Sequence, residues 1–161
     1  LIKENKFFAQ DIHIKLIGPI DITVKDELEK NHLTNVTTLI DVLPHKEAVI
    51  HLITSQVLLL PLNDVPNING VIPGKMYEYF GAKRPILCIG KKDGDAANII
   101  QDTQTGVVVG FTDFDTLKYE IMKMYHQYKK GSLQVKSRNY NQYSRKKLAF
   151  EISNILNEIS I

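Results

Sequence analysis

Apolar residues recur along the chain in two alternating patterns, one typical of short buried strands and the other of amphipathic helices. Runs rich in aliphatic and β-branched residues predict five strands: His13–Gly18, Asn35–Ile40, Val57–Pro61, Pro85–Ile89 and Gly106–Gly110. Apolar residues at helical spacing predict helices between these runs and after the last of them. Strands that alternate with helices imply a parallel sheet covered by helices on both faces.

The predicted fold class is therefore α/β, a doubly wound parallel sheet that forms one domain over residues 1–161. If the sheet has the strand order 3-2-1-4-5-6, we expect the first strand to lie between the strands predicted at His13–Gly18 and Val57–Pro61 and to be missing from these residues. We predict that these two strands pair directly, because an open gap would leave buried N–H and C=O groups without partners. The alternatives are a strand formed by Lys3–Ile12 or one from another molecule. Residues Leu1–Phe8 are predicted instead as the uncapped end of a helix.

The stretch from Pro73 to Gly90 organises the predicted site. Pro73 or Gly74 is predicted to begin a helix that ends near Ala82, because proline is tolerated where a helical N–H has no partner. The free N–H groups at such a helix start favour a phosphate. Glu78 follows Gly74 by one turn on the same face, and its carboxylate can accept two hydrogen bonds from a ribose diol. The alternative for Glu78 is a solvated helix glutamate.

The residues Pro-Gly-Lys-Met-Tyr-Glu-Tyr-Phe-Gly-Ala-Lys-Arg-Pro-Ile-Leu of this stretch resemble the donor-site signature of family 4 glycosyltransferases of the GT-B fold. The resemblance implies the Rossmann-like C-terminal half of that fold, in which Glu78 would bind the ribose of a sugar nucleotide. Many members carry a second glutamate eight residues earlier, where this chain has Gly70. No sugar-contacting acid is therefore assigned, and no residue is assigned as catalytic.

The same resemblance implies which residues lie near the diphosphate and the nucleobase of the sugar nucleotide. Lys75 and the element Asn69-Gly70 would lie near the diphosphate together with the helix start at Pro73 and Gly74, although a solvated Lys75 is an equally good interpretation. The resemblance places the loop Asp41–Pro44 against the nucleobase, and we assign Val42 and Leu43 to that contact.

The predicted function is that of the donor-binding domain of a retaining, metal-independent glycosyltransferase. Such an enzyme moves a sugar from a nucleotide-diphosphate sugar to a glycan or lipid-linked acceptor, as in polysaccharide biosynthesis, and it needs no cofactor. The resemblance implies an N-terminal domain that precedes Leu1, without which the fragment is expected to be inactive. The alternatives are a non-catalytic regulatory or interaction domain and half of a GT-B sugar-nucleotide epimerase. A receiver domain would need acidic residues at the strand ends occupied by Gly18 and Pro61.

The amino-acid composition limits the kinds of binding partner and the location that can be expected for this chain. A formal net charge of +2 is too small to predict a nucleic-acid surface, while it suits a polyanionic diphosphate or a weak peripheral membrane contact. The single cysteine, Cys88, lies in an apolar strand and excludes an internal disulfide. The sequence has no signal peptide or long apolar span, and no Ser/His/Asp set or paired metal ligands. We therefore expect a cytoplasmic protein, with membrane association as an option.

Overall fold

The computed structural model describes residues 1–159 and consists of alternating helices and parallel strands. The helices are α1 Lys6–Asp11, α2 Ile22–Lys30, α3 His45–Thr54, α4 Lys75–Ala82, α5 Asp95–Thr103, α6 Phe114–Lys129 and α7 Arg145–Ile159. The strands are β1 Ile14–Ile17, β2 Thr37–Ile40, β3 Leu58–Pro61, β4 Ile86–Ile89 and β5 Gly106–Val109. Turns of 3-10 helix occupy Thr34–Val36, Ile68–Gly70 and Tyr140–Tyr143. The predicted α/β class with parallel strands is confirmed.

The chain divides into two compact units, Leu1–His51 and Leu52–Ile161, of which the second is described to residue 159. In the first unit β1 and β2 form a parallel pair that runs from Ile14 opposite Thr37 to Ile17 opposite Ile40. Gly18 ends β1 with a φ of +112°, a backbone conformation that side chains disfavour. The prediction of one domain over the whole chain stays a prediction.

The second unit contains a three-stranded parallel sheet in the order β3-β4-β5. Successive side chains of the central strand β4 point to opposite faces of the sheet. Ile86 and Cys88 pack with residues of α4 and α5, whereas Leu87 packs with Met124 of α6. All three β4 side chains are buried, which explains why this strand has the continuous apolar sequence of a two-sided core. Helices on both faces of a parallel sheet are therefore confirmed for this unit.

The predicted direct pairing between the strands at His13–Gly18 and Val57–Pro61 is wrong, because β1 and β3 belong to separate sheets. The outer edge of β3 gives the physical reason. The Leu58 N–H donates to the carbonyl of Pro85, which directly precedes β4. Backbone groups alternate in direction along a strand, so those of Leu59 and Pro61 point away from β4, to the outer edge of β3. Pro61 has no N–H to donate, and the carbonyl of Leu59 accepts the Tyr79 hydroxyl at 3.2 Å. Proline and a side-chain hydrogen bond are common ways to protect an edge strand.

The prediction that Leu1–Phe8 form the uncapped end of a helix is wrong, because residues 1–5 lie outside any helix and α1 begins at Lys6. Helix α1 has its own N-cap, because the Asn5 side chain accepts a hydrogen bond from the Phe8 N–H at 3.0 Å. The sequence also predicts Asp113 as the N-cap of α6, because its short side chain carries an acceptor oxygen directly before an amphipathic run. This prediction is confirmed: Asp113 accepts a hydrogen bond from the Thr116 N–H at 3.2 Å. Lys92 also contacts Asp113 at 2.6 Å, and this hydrogen bond is the main reason why the pKa of Asp113 is lowered to about 2.

Burial predicts that Cys88 is unreactive in the folded protein. Removal from water raises the pKa of its thiol to about 11, so very little thiolate forms at pH 8. We expect disulfide exchange with a chromogenic aromatic disulfide to be more than about a hundredfold slower in native buffer than in guanidinium chloride. Equal rates in the two conditions would contradict the position of Cys88 in the core.

Candidate functional site at the start of helix α4

Helix α4 begins without a side-chain cap. Its N-cap residue, Gly74, has φ −56° and ψ −32°, and no side chain accepts a hydrogen bond from the first turn. The first helical hydrogen bonds run from Met76 N–H to the Pro73 carbonyl at 3.0 Å and from Tyr77 N–H to the Gly74 carbonyl at 3.2 Å. The N–H groups of Gly74 and Lys75 therefore lie outside the helical pattern and can donate to an external acceptor. Such a helix start can bind an anion.

One face of α4 is anchored in the core of the second unit. Met76 is fully buried and Phe80 nearly so, and both pack with Leu60 and Ile86 of the sheet. Tyr79 adds its hydrogen bond to the carbonyl of Leu59. Burial raises the pKa of Tyr79, and the neighbouring carboxylate of Glu78 raises it further. These contacts fix the helix, so the side chains on its other face project from a rigid support.

The outer face of α4 consists of Gly74, Tyr77, Glu78 and Gly81, which follow one another at helical spacing and are all exposed. Within residues 1–159, the Glu78 side chain makes no hydrogen bond or salt bridge. A Cβ atom added to Gly74 or to Gly81 would meet nothing within 4 Å. The carboxylate is thus presented with empty space beside it, one turn beyond the helix start, which suits a ligand that approaches the backbone.

The loop before α4 supplies the predicted element Asn69-Gly70. It lies in the 3-10 turn Ile68–Gly70, which is anchored by the buried Ile68 side chain, while Asn69 and Gly70 are exposed. The turn contacts the start of α5: a Cβ atom added to Gly94 would lie 3.4 Å from the Asn69 carbonyl oxygen. The carboxyl ends of parallel strands share one edge of a sheet, so the loops that follow β3 and β4 meet at this edge.

The remaining predicted residues divide into two groups. Lys75 and Pro73 flank the helix start, and the exposed Lys75 has no ion pair in the described part of the chain. Val42, which is 72% exposed, and the half-buried Leu43 belong to the first unit. Their grouping with the α4 residues stays a prediction.

Sequence reasoning missed the basic residues that follow β4. Lys91 lies 3.9 Å from Asp93, and Lys92 is held by Asp113. Lys91 is 44% exposed and lies in the loop after β4, at the same edge of the sheet as the loop before α4, so it is a further candidate for an anionic ligand. Its signal in the sequence is a lysine pair directly after Gly90 at the end of a buried strand.

At the α4 start, a Cβ atom added to Gly74 would meet nothing within 4 Å, so the backbone there is accessible. A surface cavity of about 530 Å³ lies elsewhere, and no α4 residue lines it. Its walls come from the turn at Tyr140–Tyr143 and the first turns of α7, and they are formed by Asn139, Asn141, Gln142, Ser144, Lys146, Lys147 and Phe150.

Residues 1–159 lack two kinds of feature, a membrane-spanning helix and a metal site. No helix there is both long and apolar enough to span a bilayer. No group of three or more histidine, cysteine, aspartate or glutamate side chains is placed to bind a metal ion.

Comparison with known proteins adds no functional information: no protein-family model matches this chain, and no curated protein shows significant similarity to it.

Proposed function

We propose that this chain is the donor-nucleotide-binding domain of a retaining glycosyltransferase of the GT-B fold. In this proposal the sheet is the Rossmann-like C-terminal half of that fold, and the polypeptide also contributes an N-terminal acceptor domain. The substrate is a nucleotide-diphosphate sugar, and the sugar passes to a glycan or lipid-linked acceptor. We propose a cytoplasmic enzyme, with peripheral membrane contact as an option that suits a lipid-linked acceptor.

The observation that carries the proposal is the exposed Glu78 carboxylate on the rigid α4. A carboxylate offers only acceptor oxygens, so its preferred ligand carries paired donors, as the 2′- and 3′-hydroxyls of a ribose do. The free N–H groups of Gly74 and Lys75 lie one turn earlier and prefer an anion. A nucleoside diphosphate carries both groups, a ribose diol and an anionic diphosphate, so one such ligand could satisfy Glu78 and the free N–H groups together.

The same groups can act in the transfer step. When the bond between the sugar and the diphosphate breaks, negative charge develops on the leaving diphosphate. Oriented N–H groups at the helix start and the Lys75 ammonium would stabilise that charge without moving. Glu78 would hold the ribose and so fix the position of the diphosphate, and the proposed role of the domain is thus positioning and charge stabilisation.

The proposal is tested by comparing nucleotides that differ only in the diol. We expect UDP, GDP or ADP to bind this chain weakly, and the matching 2′,3′-dideoxynucleoside diphosphate to bind about tenfold to a hundredfold more weakly. Isothermal titration or NMR titration measures the difference. Equal affinities for the ribonucleotide and the dideoxynucleotide would show that Glu78 does not bind the diol. If no nucleoside diphosphate binds at millimolar concentration, the proposal is wrong for this chain.

Replacement of Gly74 by alanine is expected to separate folding from binding. The backbone of Gly74 is right-handed helical and its Cβ position is empty, so alanine fits and raises the free energy of unfolding by up to about 1 kcal/mol. The added methyl group occupies the space beside the free N–H groups, so nucleotide affinity should fall. Denaturant unfolding and the titration above measure the two effects. A variant with unchanged affinity would contradict an approach of the ligand to this backbone.

A further inference from the structure

The surface cavity of about 530 Å³ at the start of α7 is separate from the proposed nucleotide site, because no α4 residue lines it. Its volume falls within the range of about 300–1,000 Å³ that is usual for small-molecule sites. The turn Tyr140–Tyr143 and the residues beside it contribute carboxamide and hydroxyl groups, and α7 contributes two ammonium groups and one aromatic ring. No aspartate or glutamate within residues 1–159 lines the cavity. A ligand for this cavity would therefore be polar, and it could carry negative charge.

The carboxamide side chains of Asn139, Asn141 and Gln142 line one side of the cavity. None of these side chains donates a hydrogen bond to another group of the described chain or accepts one from it. A carboxamide both donates and accepts hydrogen bonds, and so does the hydroxyl group of a sugar. Three side chains with unused hydrogen-bonding capacity therefore suit a ligand that carries several hydroxyl groups.

The turn that carries these carboxamides is held in place by the core of the second unit. Tyr140 and Tyr143 pack against the buried cluster, and the centroid of the Tyr143 ring lies 6.1 Å from that of the Phe80 ring. The Ser144 N–H donates to the Asn141 carbonyl at 3.0 Å, which links the end of the turn to its middle. The tyrosines point to the core and the polar residues between them line the cavity, so this wall is formed before a ligand binds.

The α7 side of the cavity consists of an aromatic ring beside two lysines. Lys146 and Phe150 are four residues apart and therefore lie on one face of the helix. The Lys147 ammonium lies 5.7 Å from the centre of the Phe150 ring, and it is also paired with Glu151 at 3.4 Å. Lys146 has no ion pair in the described part of the chain. The Phe150 ring is 60% exposed, so a sugar ring can stack on it and bring an anionic group within reach of Lys146.

We propose that this cavity binds an acidic saccharide, a pyranose ring that carries a carboxylate or a sulfate group. The carboxamides bind its hydroxyl groups, Phe150 stacks on its apolar face, and Lys146 pairs with its anionic group. Both lysines lie in the first turn of α7, where the positive end of the helix dipole makes cations unfavourable. A bound anion offsets this effect and a neutral sugar does not, so the charges select an acidic ligand.

The first test compares monosaccharides that differ in charge. We expect galacturonate to bind with a Kd on the order of 1 mM, and its methyl ester, which keeps the ring and its hydroxyl groups, to bind about fivefold more weakly. NMR titration of the labelled chain measures both affinities and should shift the side-chain amide signals of Asn139, Asn141 and Gln142. Galactose 6-sulfate is the sulfated probe. Binding of either acid at these amides supports the proposal, and the tighter binding identifies the anionic group.

The second test removes the ring and the charge separately. Phe150→Ala removes the stacking surface and should weaken galacturonate and its ester alike, by about tenfold. Lys146→Gln should remove most of the preference for the acid and leave the affinity for the ester unchanged. Phe114→Ala and Lys25→Gln change exposed residues on α6 and α2 and should leave both affinities as they are. Circular dichroism verifies that each variant is folded.

Three results would overturn the proposal: no shift of the three side-chain amide signals with either acid well above the expected Kd, equal affinities for galacturonate and its ester, or a Phe150→Ala variant that binds as the parent chain does. Displacement of galacturonate by an equal concentration of citrate would also contradict it, because the cavity would then bind anions without regard to a sugar ring. Nucleotide binding at the α4 start uses none of these residues, so either proposal can fail while the other holds.

Discussion

Replacement of Gly106 by alanine is expected to destabilise the second unit by about 3 kcal/mol or more. Gly106 lies opposite Ile86 in the β4–β5 pair, and a Cβ atom at this position would lie 2.0 Å from the Ile86 carbonyl oxygen. The clash is with backbone of the central strand and not with the end of a flexible side chain. Relief therefore requires that β5 move away from β4, which would loosen the hydrogen bonds between them.

Denaturant unfolding followed by circular dichroism measures this effect. The matched control is Gly81→Ala on the exposed face of α4, where a Cβ atom meets nothing within 4 Å. There alanine should leave stability unchanged or raise it by up to about 1 kcal/mol, because it is the better helix former. Equal effects of the two substitutions would show that β4 and β5 do not approach each other as closely as described.

Replacement of Glu78 by glutamine is expected to weaken ribonucleotide binding about tenfold to a hundredfold without affecting the fold. Glutamine keeps the shape, but it loses the charge and presents donors in place of one acceptor oxygen, and a hydrogen bond to a charged group contributes about 1.5–3 kcal/mol. The Glu78 side chain is exposed and has no partner in the described residues, so its removal costs no native contact.

Two controls test whether the lost ribonucleotide affinity comes from the contact with the ribose diol. Affinity for a 2′,3′-dideoxynucleoside diphosphate should not change in the Glu78→Gln variant, because the contact is already absent. Glu29→Gln alters another exposed helix glutamate, on α2, and should leave all affinities as they are. If Glu78→Gln and Glu29→Gln bind ribonucleotides equally well, Glu78 has no role in the site.

Much of the fold follows from short-range patterns. The short apolar run Pro85–Ile89 predicted a strand, and the structure buries this strand on both faces, with Leu87 packed against one helix layer and Cys88 against the other. The run Val57–Leu60 was predicted to be fully buried, which is wrong, because Leu59 on the outer strand β3 is 43% exposed. Asp113 was identified as a cap because a short side chain with an acceptor oxygen precedes an amphipathic run. Both signals depend on a few adjacent residues, so one sequence is enough to detect them.

Strand pairing was not predictable in the same way. The choice between joining β1 to β3 and leaving both edges open depends on distant contacts, such as the Tyr79 hydroxyl on the carbonyl of Leu59. The sequence contained one relevant signal, the proline at position 61, which cannot donate a hydrogen bond to a neighbouring strand. The left-handed conformations at Lys83 and Gln104, which end α4 and α5, gave no signal, because neither residue favours that conformation.

For the candidate site, the sequence predicted one rigid part well. The helix start at Gly74 follows from local chemistry and is confirmed, whereas the ligand-binding role of Glu78 stays a prediction. The openness of the space beside Gly74 could not be predicted, because it depends on the packing of the preceding loop. The assignment of Val42 and Leu43 to the nucleobase stays a prediction.

The most direct test of nucleotide binding at the α4 start is an NMR titration of the isotope-labelled chain with UDP, GDP and ADP. We predict that at least one of them shifts the amide signals of Gly74, Lys75 and Glu78, and that the shifts at Glu78 are lost with the 2′,3′-dideoxynucleotide. Unchanged signals at these three amides with all three nucleotides at millimolar concentration would contradict the account.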